Sequence, residues 1–318
     1  MVRVTVLGAG VIGLTTAVSL LEAGCSVRVV SDAPVSATTS SLAAAVWFPT
    51  HVGPPDRVAS WGAYTYNMLA DQAASGVPGV VMRESLALYR EPPGEPGWLA
   101  SVGPVRPATA SELPAGYSHG LRFTAPLVEM PVHLPWLVEQ VLSRGGEMQT
   151  RRIESLARFA AEDDAGDAVV NCTGLAARIL ANDRSVYPVR GQIVRVTNPG
   201  LTLSVRDEGH PGGRAYVHPR SSDCILGGTL DKNCWDTRVD PAAAAAIIAR
   251  CQDLVPQLAA AKVIEHIVGL RPGRPTVRLE EDQPSGAGPR VVHNYGHGGA
   301  GITLGWGCAR EVTDLLLA

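Results

Sequence analysis

The glycines of Gly8-Ala-Gly10-Val-Ile-Gly13 and an acid 19 residues beyond the last of them, Asp32, have the types and spacing to hold a dinucleotide. Gly8 permits a tight turn from strand to helix, Gly10 lets a pyrophosphate approach the backbone, and Gly13 lets the helix pack closely on the strand. Free N–H groups and the positive end of the helix dipole then face the phosphates. A carboxylate about 20 residues downstream is placed to accept from an adenosine ribose. An acid there, where a basic residue would suit a 2′-phosphate, favours FAD or NAD over NADP. The motif by itself does not separate FAD from NAD.

A second candidate is Arg271, in Val268-Gly-Leu-Arg271-Pro-Gly-Arg274-Pro, where two prolines limit the backbone. An arginine held this way can clamp a carboxylate through two parallel N–H contacts. The same spacing equally allows an ion pair with Glu280, Glu281 or Asp282. His293 and His297 are four apart, but Asn-Tyr-Gly between them and Gly-Gly after them break a helix. With no H-E-x-x-H and no third ligand, no metal site is expected. Without a G-x-S-x-G elbow, hydrolase chemistry has no anchor.

Elements to carry these residues can be read from periodicity. Val4 to Leu7 is a strand, Val11 to Ala23 a helix and Val27 to Val30 a second strand. Ser36 to Ser41 is small and hydroxylated, suited either to a backbone close to a ligand or to a helix N-cap. Glu91 to Pro107 is an irregular excursion following a strand, Val81 to Tyr89. Leu134 to Arg144 has the spacing of an amphipathic helix, and Ala168 to Asn171 that of a buried strand ending in a glycine turn. Val189 to Thr197, Ala215 to His218 and Asp223 to Leu230 suggest a separate antiparallel sheet. Pro241 to Lys262 is Ala-rich and helical. Arg290 to His293 is a strand leading through a second glycine turn, Gly296 to Gly301, into a closing helix, Ile302 to Leu317.

Bulk properties narrow the class. The 318 residues suffice for one large or two interleaved domains, and 46% hydrophobic with 18% charged residues is ordinary for an enzyme. A net charge of −3 gives no support to nucleic-acid or anionic-membrane binding. No 18-residue apolar stretch is present, and the first apolar run already serves as a strand, so neither a span nor a signal peptide is expected. The terminal Leu-Leu-Leu-Ala is not a peroxisomal address. Six cysteines without C-x-x-C or zinc spacing point to buried thiols in a reducing cytoplasm, with a disulfide among Cys224, Cys234 and Cys251 left open.

Gly8-Ala-Gly-Val-Ile-Gly-Leu14, Asn171-Cys-Thr-Gly174, Arg190-Gly-Gln192, Gly269-Leu-Arg-Pro-Gly-Arg-Pro275 with Arg278-Leu-Glu280, and His293-Asn-Tyr-Gly-His-Gly-Gly299 together resemble the D-amino-acid oxidase family. The match runs end to end, and its last two motifs are far more specific than its first. The resemblance implies an α/β fold: an FAD-binding Rossmann-like domain of residues 1–47, 150–186 and 279–318, interleaved with a substrate domain of residues 48–149 and 187–278 on an antiparallel or mixed sheet. It implies FAD-dependent oxidative deamination of neutral D-amino acids, by hydride transfer from Cα to flavin N5. The products would be a 2-oxo acid, ammonia and hydrogen peroxide. The partners would be D-amino acids and dioxygen. The family is frequently dimeric, though no surface signal in the sequence fixes a homodimer.

Position by position, Arg271 matches the arginine that pairs with the substrate carboxylate, Tyr216 the tyrosine that assists it, and Gly299 the glycine whose carbonyl receives the amine. For FAD, beyond Gly8, Gly10 and Gly13, the matching positions are Ala9, Ile12, Asp32, Thr38, Thr39, Ser40, Ala44, Ala45, Val46, Ile153, Thr173, Gly298, Gly299, Ala300, Gly301, Ile302 and Thr303. Three departures stand out. Arg206-Asp-Glu-Gly-His-Pro-Gly-Gly-Arg214 lacks the second tyrosine often found before Tyr216, so a more open entrance is expected. Phe48 replaces a glutamine of mammalian relatives, which favours apolar side chains. Ala45 stands at a common glycine position and is expected to shift flavin packing slightly. The rivals are a D-aspartate oxidase, with Arg214, His210 and Arg220 as extra cations, a glycine oxidase, an NAD-dependent dehydrogenase and a flavin-binding protein without catalysis.

Overall fold

A computed structural model describes residues 1–49, 52–94, 96–282 and 288–318. Glu95, in the expected excursion, and residues 283–287, in the expected third cofactor segment, lie outside them. The chain runs β1 (Arg3–Leu7), α1 (Val11–Glu22), β2 (Ser26–Ser31), α2 (Pro55–Ala74), β3 (Val80–Tyr89), β4 (Arg106–Pro107), β5 (His119–Val128), α3 (Met130–Ser143) and β6 (Glu147–Thr150). Next come α4 (Leu156–Ala160), β7 (Ala168–Asn171), α5 (Ala177–Leu180), β8 (Tyr187–Thr197), β9 (Ser204–Asp207), β10 (Ala215–Pro219), β11 (Asp223–Gly227) and β12 (Asp231–Lys232). The chain closes with α6 (Pro241–Leu254), β13 (Val263–Gly273), β14 (Arg278–Glu281), β15 (Arg290–Tyr295) and α7 (Gly301–Leu317).

Two sheets organise these elements. The first has the order β14-β15-β7-β1-β2-β6 and is parallel except for the antiparallel edge β14. Its strands read as near-continuous apolar runs because both faces are covered. Val4, Val6, Val27, Val29 and Val170 face α1, α3 and α7, whereas Leu7, Val30 and Val169 turn to Leu156 and Phe159 of α4. The alternation follows from the period-2 pleat.

The second sheet is mixed, with β12-β8-β11-β10-β9-β3-β5-β4 in order and β13 paired along β8. β3 and β9 run parallel and their neighbours antiparallel. On one face Val194, Val196, Val205, Val217 and Leu226 pack against Ala244, Ile247, Cys251 and Leu254 of α6. The residues between them face the other way, and among these Ile193, Arg206, Tyr216 and His218 line the site.

Some elements differ from the sequence reading. The 20-residue α2, packed on α7, carries no strong start or stop signal beyond its leading prolines, and tertiary packing supports it. Helix α6 stops at Leu254, two residues short of Pro256, which cannot continue it, and 3₁₀ turns follow. The stretch carrying Arg271 is the end of an edge strand, where a proline is tolerated because its missing N–H would face outward. All six cysteines are free thiols, so the disulfide left open among Cys224, Cys234 and Cys251 is not formed.

Candidate active site

The glycine turn opens a cleft of ≈ 950 Å³ that runs from the carboxyl ends of β1 and β2 to the exposed face of the second sheet. That size is at the upper end of the ~300–1,000 Å³ usual for ligand pockets. Gly8 has φ +105°, and a Cβ there would lie 2.5 Å from the Cys172 carbonyl oxygen. A Cβ on Gly13 would run into the Gly8 carbonyl, so helix and strand meet at a distance only glycine allows. Both glycines do what their places in the motif demand.

Gly8, Ala9, Gly10, Ile12, Asp32, Thr38, Thr39, Ser40, Ala44, Ala45, Val46, Ile153, Thr173, Gly298, Gly299, Gly301 and Ile302 all line this one cleft. Gly13, Ala300 and Thr303 do not. The Thr303 hydroxyl accepts from the Phe48 N–H at 3.1 Å, which ties α7 to the segment entering the second sheet. Ser40 resolves the two readings of its segment in an unexpected way: its Oγ accepts the Val11 N–H at 2.9 Å, capping α1 from 29 residues downstream. Thr39 donates to the Leu270 carbonyl at 3.0 Å, joining the same loop to β13.

The far end of the cleft is made by alternate residues of the second sheet: Val189, Gly191 and Ile193 of β8, Arg206 of β9, Tyr216 and His218 of β10, and Ile267, Gly269 and Arg271 of β13. Arg271 pairs across the strands with Val189, and its side chain passes diagonally over Gly191. A Cβ on Gly191 would fall inside the guanidinium, close to Cζ, Nη1 and Nη2 alike, so the group lies flat on the β8 backbone. Nη1 donates to the Thr229 carbonyl at 3.1 Å. Tyr216 lies across its cross-strand partner Gly227 in the same manner. Gly299 comes from the turn that follows β15 of the other sheet; a Cβ there would lie 3.3 Å from the Arg271 Cδ, and the Gly298 N–H donates to the Pro272 carbonyl at 2.8 Å. The two halves of the chain thus meet at Arg271.

The ion pair left open for Arg271 is not made. Glu280 and Asp282 are bound by Arg278, and Glu281 by Arg290. Burial raises the Tyr216 hydroxyl above the ordinary tyrosine range despite Arg271 and Arg214, so at neutral pH it remains a donor. Burial also pushes His218 well below its ordinary value and His297 down to about 3, leaving both rings neutral.

Arg206, Trp98 and Phe123, which sequence reasoning did not single out, cluster around Phe48. Arg206 is 8% exposed, with its guanidinium 3.7 Å over the Phe48 ring, and it makes no ion pair among the described residues. Burial lowers it to about 10, still cationic at neutral pH. Phe48 packs on Trp98 and Trp98 on Phe123, with centroids 5.3 and 4.7 Å apart. The cations expected for a side-chain carboxylate are otherwise engaged: Arg214 with Glu208, His210 with Asp253, and Arg220 bidentate on Asp223. Arg250 of α6 donates to the carbonyls of Gly212, Arg214 and Gly228 and pins the segment before Tyr216. Glycines inside strands were the one available signal for Gly191 and Gly227, since such residues mark a close approach.

Among the described residues no group of three or more His, Cys, Asp or Glu could hold a metal, and no helix is long and apolar enough to cross a membrane. A family model described as "FAD dependent oxidoreductase" matches residues 3–315. A D-amino-acid oxidase of Rubrobacter xylanophilus is 48% identical, covering 98% of this chain and 95% of its own length. The D-aspartate oxidase of Homo sapiens is 39% identical, over 99% and 94%. In fold, the chain superimposes on a glycine oxidase from Geobacillus kaustophilus with TM-score 0.79 at 22% identity, covering 100% of this chain and 95% of that one.

Proposed function

The chain belongs to the FAD dependent oxidoreductase family, and from that premise we propose that it is a D-amino-acid oxidase in which Arg271, Tyr216 and Gly299 hold the reacting carbon. The cofactor is FAD. The residues present fit it: a glycine turn that no Cβ could enter, an exposed Asp32 at the end of β2, and one continuous cleft from there to Arg271. When bound, FAD accepts the hydride of the substrate Cα–H and passes two electrons to dioxygen, giving hydrogen peroxide. Gly8, Gly10, Ile12, Asp32, Ser40, Ile153 and Thr173 would hold it.

The observation that carries the reading is the guanidinium of Arg271 lying flat on Gly191 with the Tyr216 phenol on Gly227 beside it. This presents N–H and O–H donors along one edge, which suits a carboxylate. The Gly299 carbonyl supplies an acceptor for the substrate amine. Two fixed ends leave one rotation, so only one enantiomer presents its Cα–H to the cofactor side. No side chain has to remove that hydrogen as a proton. The imino acid released is hydrolysed by water to the 2-oxo acid and ammonia. The same reading assigns residues 1–47, 150–186 and 279–318 to cofactor binding and 48–149 and 187–278 to substrate binding. Six free thiols support a reducing cytoplasm as its location.

Anaerobic absorbance spectra test it. The purified protein is expected to be yellow, and D-methionine but not L-methionine is expected to bleach the flavin bands. A colourless protein would return the chain to an NAD-dependent dehydrogenase, and a flavin that no D-amino acid bleaches would leave only the fold.

Arg206 favours a second reading, a D-aspartate oxidase, because it places a buried cation at the side-chain end. Its guanidinium is occupied by the face of Phe48, and the Phe48, Trp98 and Phe123 rings make the surroundings apolar. We therefore expect kcat/KM for D-methionine to exceed that for D-aspartate by about tenfold or more, since an imperfectly paired buried carboxylate costs that much or more. Faster turnover of D-aspartate, abolished in Arg206→Met, would establish the acidic reading instead.

A further inference from the structure

Behind the wall of the cleft, a chain of hydrogen bonds that the oxidation itself does not use ends on Thr173. Asn171 closes β7 and His293 lies directly opposite it on β15. Both are buried, at 0% and 1% exposure. Their contacts determine where each proton sits. The Thr173 backbone N–H donates to the Asn171 amide at 3.2 Å, so the atom it meets is the oxygen and the other end is the NH₂. That NH₂ faces His293 Nδ1 at 3.2 Å, so Nδ1 carries a lone pair and Nε2 the ring proton. Nε2 donates to Asp282 at 2.9 Å, and Arg278 holds the other oxygen of that carboxylate at 2.9 Å.

The last link follows. The Thr173 hydroxyl lies 2.7 Å from Asn171 Oδ1, which can only accept, so the hydroxyl proton is committed there. Toward the cleft that Thr173 lines, its oxygen offers lone pairs alone. We infer that Asn171, His293 and Asp282 are positioning residues that hold Thr173 as an acceptor, so that it selects a hydrogen-bond donor, a hydroxyl or N–H, on the bound dinucleotide. The inference rests on the FAD reading of the cleft and adds the direction of one bond and the residues that enforce it. Burial pushes His293 below its ordinary value, with Arg278 adding to this and Asp282 opposing it, and the ring stays neutral. A protonated ring would set N–H against the Asn171 NH₂. Tyr295, edge-on at 5.4 Å, and Glu280, opposite on β14, are the other ionisable groups around it.

The test is the rate at which FAD leaves the holoenzyme on dilution, followed by the rise in flavin fluorescence, in wild type, Thr173→Val, Thr173→Ser, Asn171→Ala and the Asn171→Ala/Thr173→Val double variant. Thr173→Val and Asn171→Ala are each expected to speed release about tenfold, the scale of one hydrogen bond, and Thr173→Ser to stay near wild type. The double variant is expected to release FAD no faster than Thr173→Val alone, because Asn171 acts through that hydroxyl. Effects that multiply in the double variant, or a Thr173→Val protein that holds FAD as wild type does, would overturn the inference. If Asn171→Ala does not fold, Asn171→Ser takes its place in the same cycle, with the same expected and overturning results. A wild-type protein without flavin would overturn the cofactor reading itself, which is a distinct result.

Discussion

Replacing Arg271 by alanine is expected to lower kcat/KM for D-methionine by about three orders of magnitude while the protein stays yellow and fully loaded with flavin. Removing one partner of a desolvated charge pair costs about 3–5 kcal/mol, because the other charge is left buried without its donors. At about 1.4 kcal/mol per tenfold this is two to four decades. The loss should fall largely on KM, since the carboxylate is held in the ground state as well as in the transition state. Flavin content should not change, because the contacts of the Arg271 side chain, to Thr229, Gly191 and Gly299, lie at the substrate end of the cleft. Arg271→Lys should recover only part of the loss, a point charge having no planar fork. Steady-state kinetics with absorbance at the flavin bands measures both quantities, and unchanged turnover in Arg271→Ala would end the assignment of this residue.

The second large effect is expected from a single methyl group. In Gly191→Ala the new Cβ would occupy the space of the Arg271 guanidinium, touching its Cζ and both terminal nitrogens, so the group has to move by about 1 Å. A misplacement of that size costs on the order of 100-fold in rate when the displaced group orients the reacting atoms. Gly191 has no positive φ, so strain in its own backbone does not contribute. Gly269, directly opposite on β13, provides the control: a Cβ there meets Leu42 at 3.5 Å, an ordinary contact. Gly269→Ala, whose new methyl meets Leu42 and not the guanidinium, should cost activity far less than Gly191→Ala. A carboxamide substrate separates this account from a general loss of structure. Gly191→Ala should lose the preference for a D-amino acid over its neutral amide, whereas a merely destabilised enzyme would keep that preference.

How much of this could be read from the chain depends on the range over which each constraint acts. The glycine turn was readable because its demands are local: Gly8 needs a positive φ, and Gly13 packs on a carbonyl only five residues away in the chain. Helices α1 and α7 were readable because their apolar residues recur over three or more turns, and β2 because its valines follow the glycine turn at the spacing the motif requires. Arg271 stood out through the prolines around it, yet its partner was undecided between a ligand and three nearby acids. The tertiary structure removed the acids from contention, by giving them to Arg278 and Arg290.

The same limit explains what was missed. Ser40 caps a helix 29 residues earlier, Asn171 meets His293 from 122 residues away, and Arg206 of β9 reaches Phe48 in a distant connecting segment. Composition and spacing by themselves determined a dinucleotide-binding α/β chain and singled out Arg271, whereas Tyr216 and Gly299 were named only by the family resemblance. Which glycines lie beneath Arg271 and Tyr216, which cation stacks on Phe48 and which histidine meets Asn171 were decided only by strand register. Register is set by the summed burial of both faces of a sheet, so no short stretch of sequence contains it.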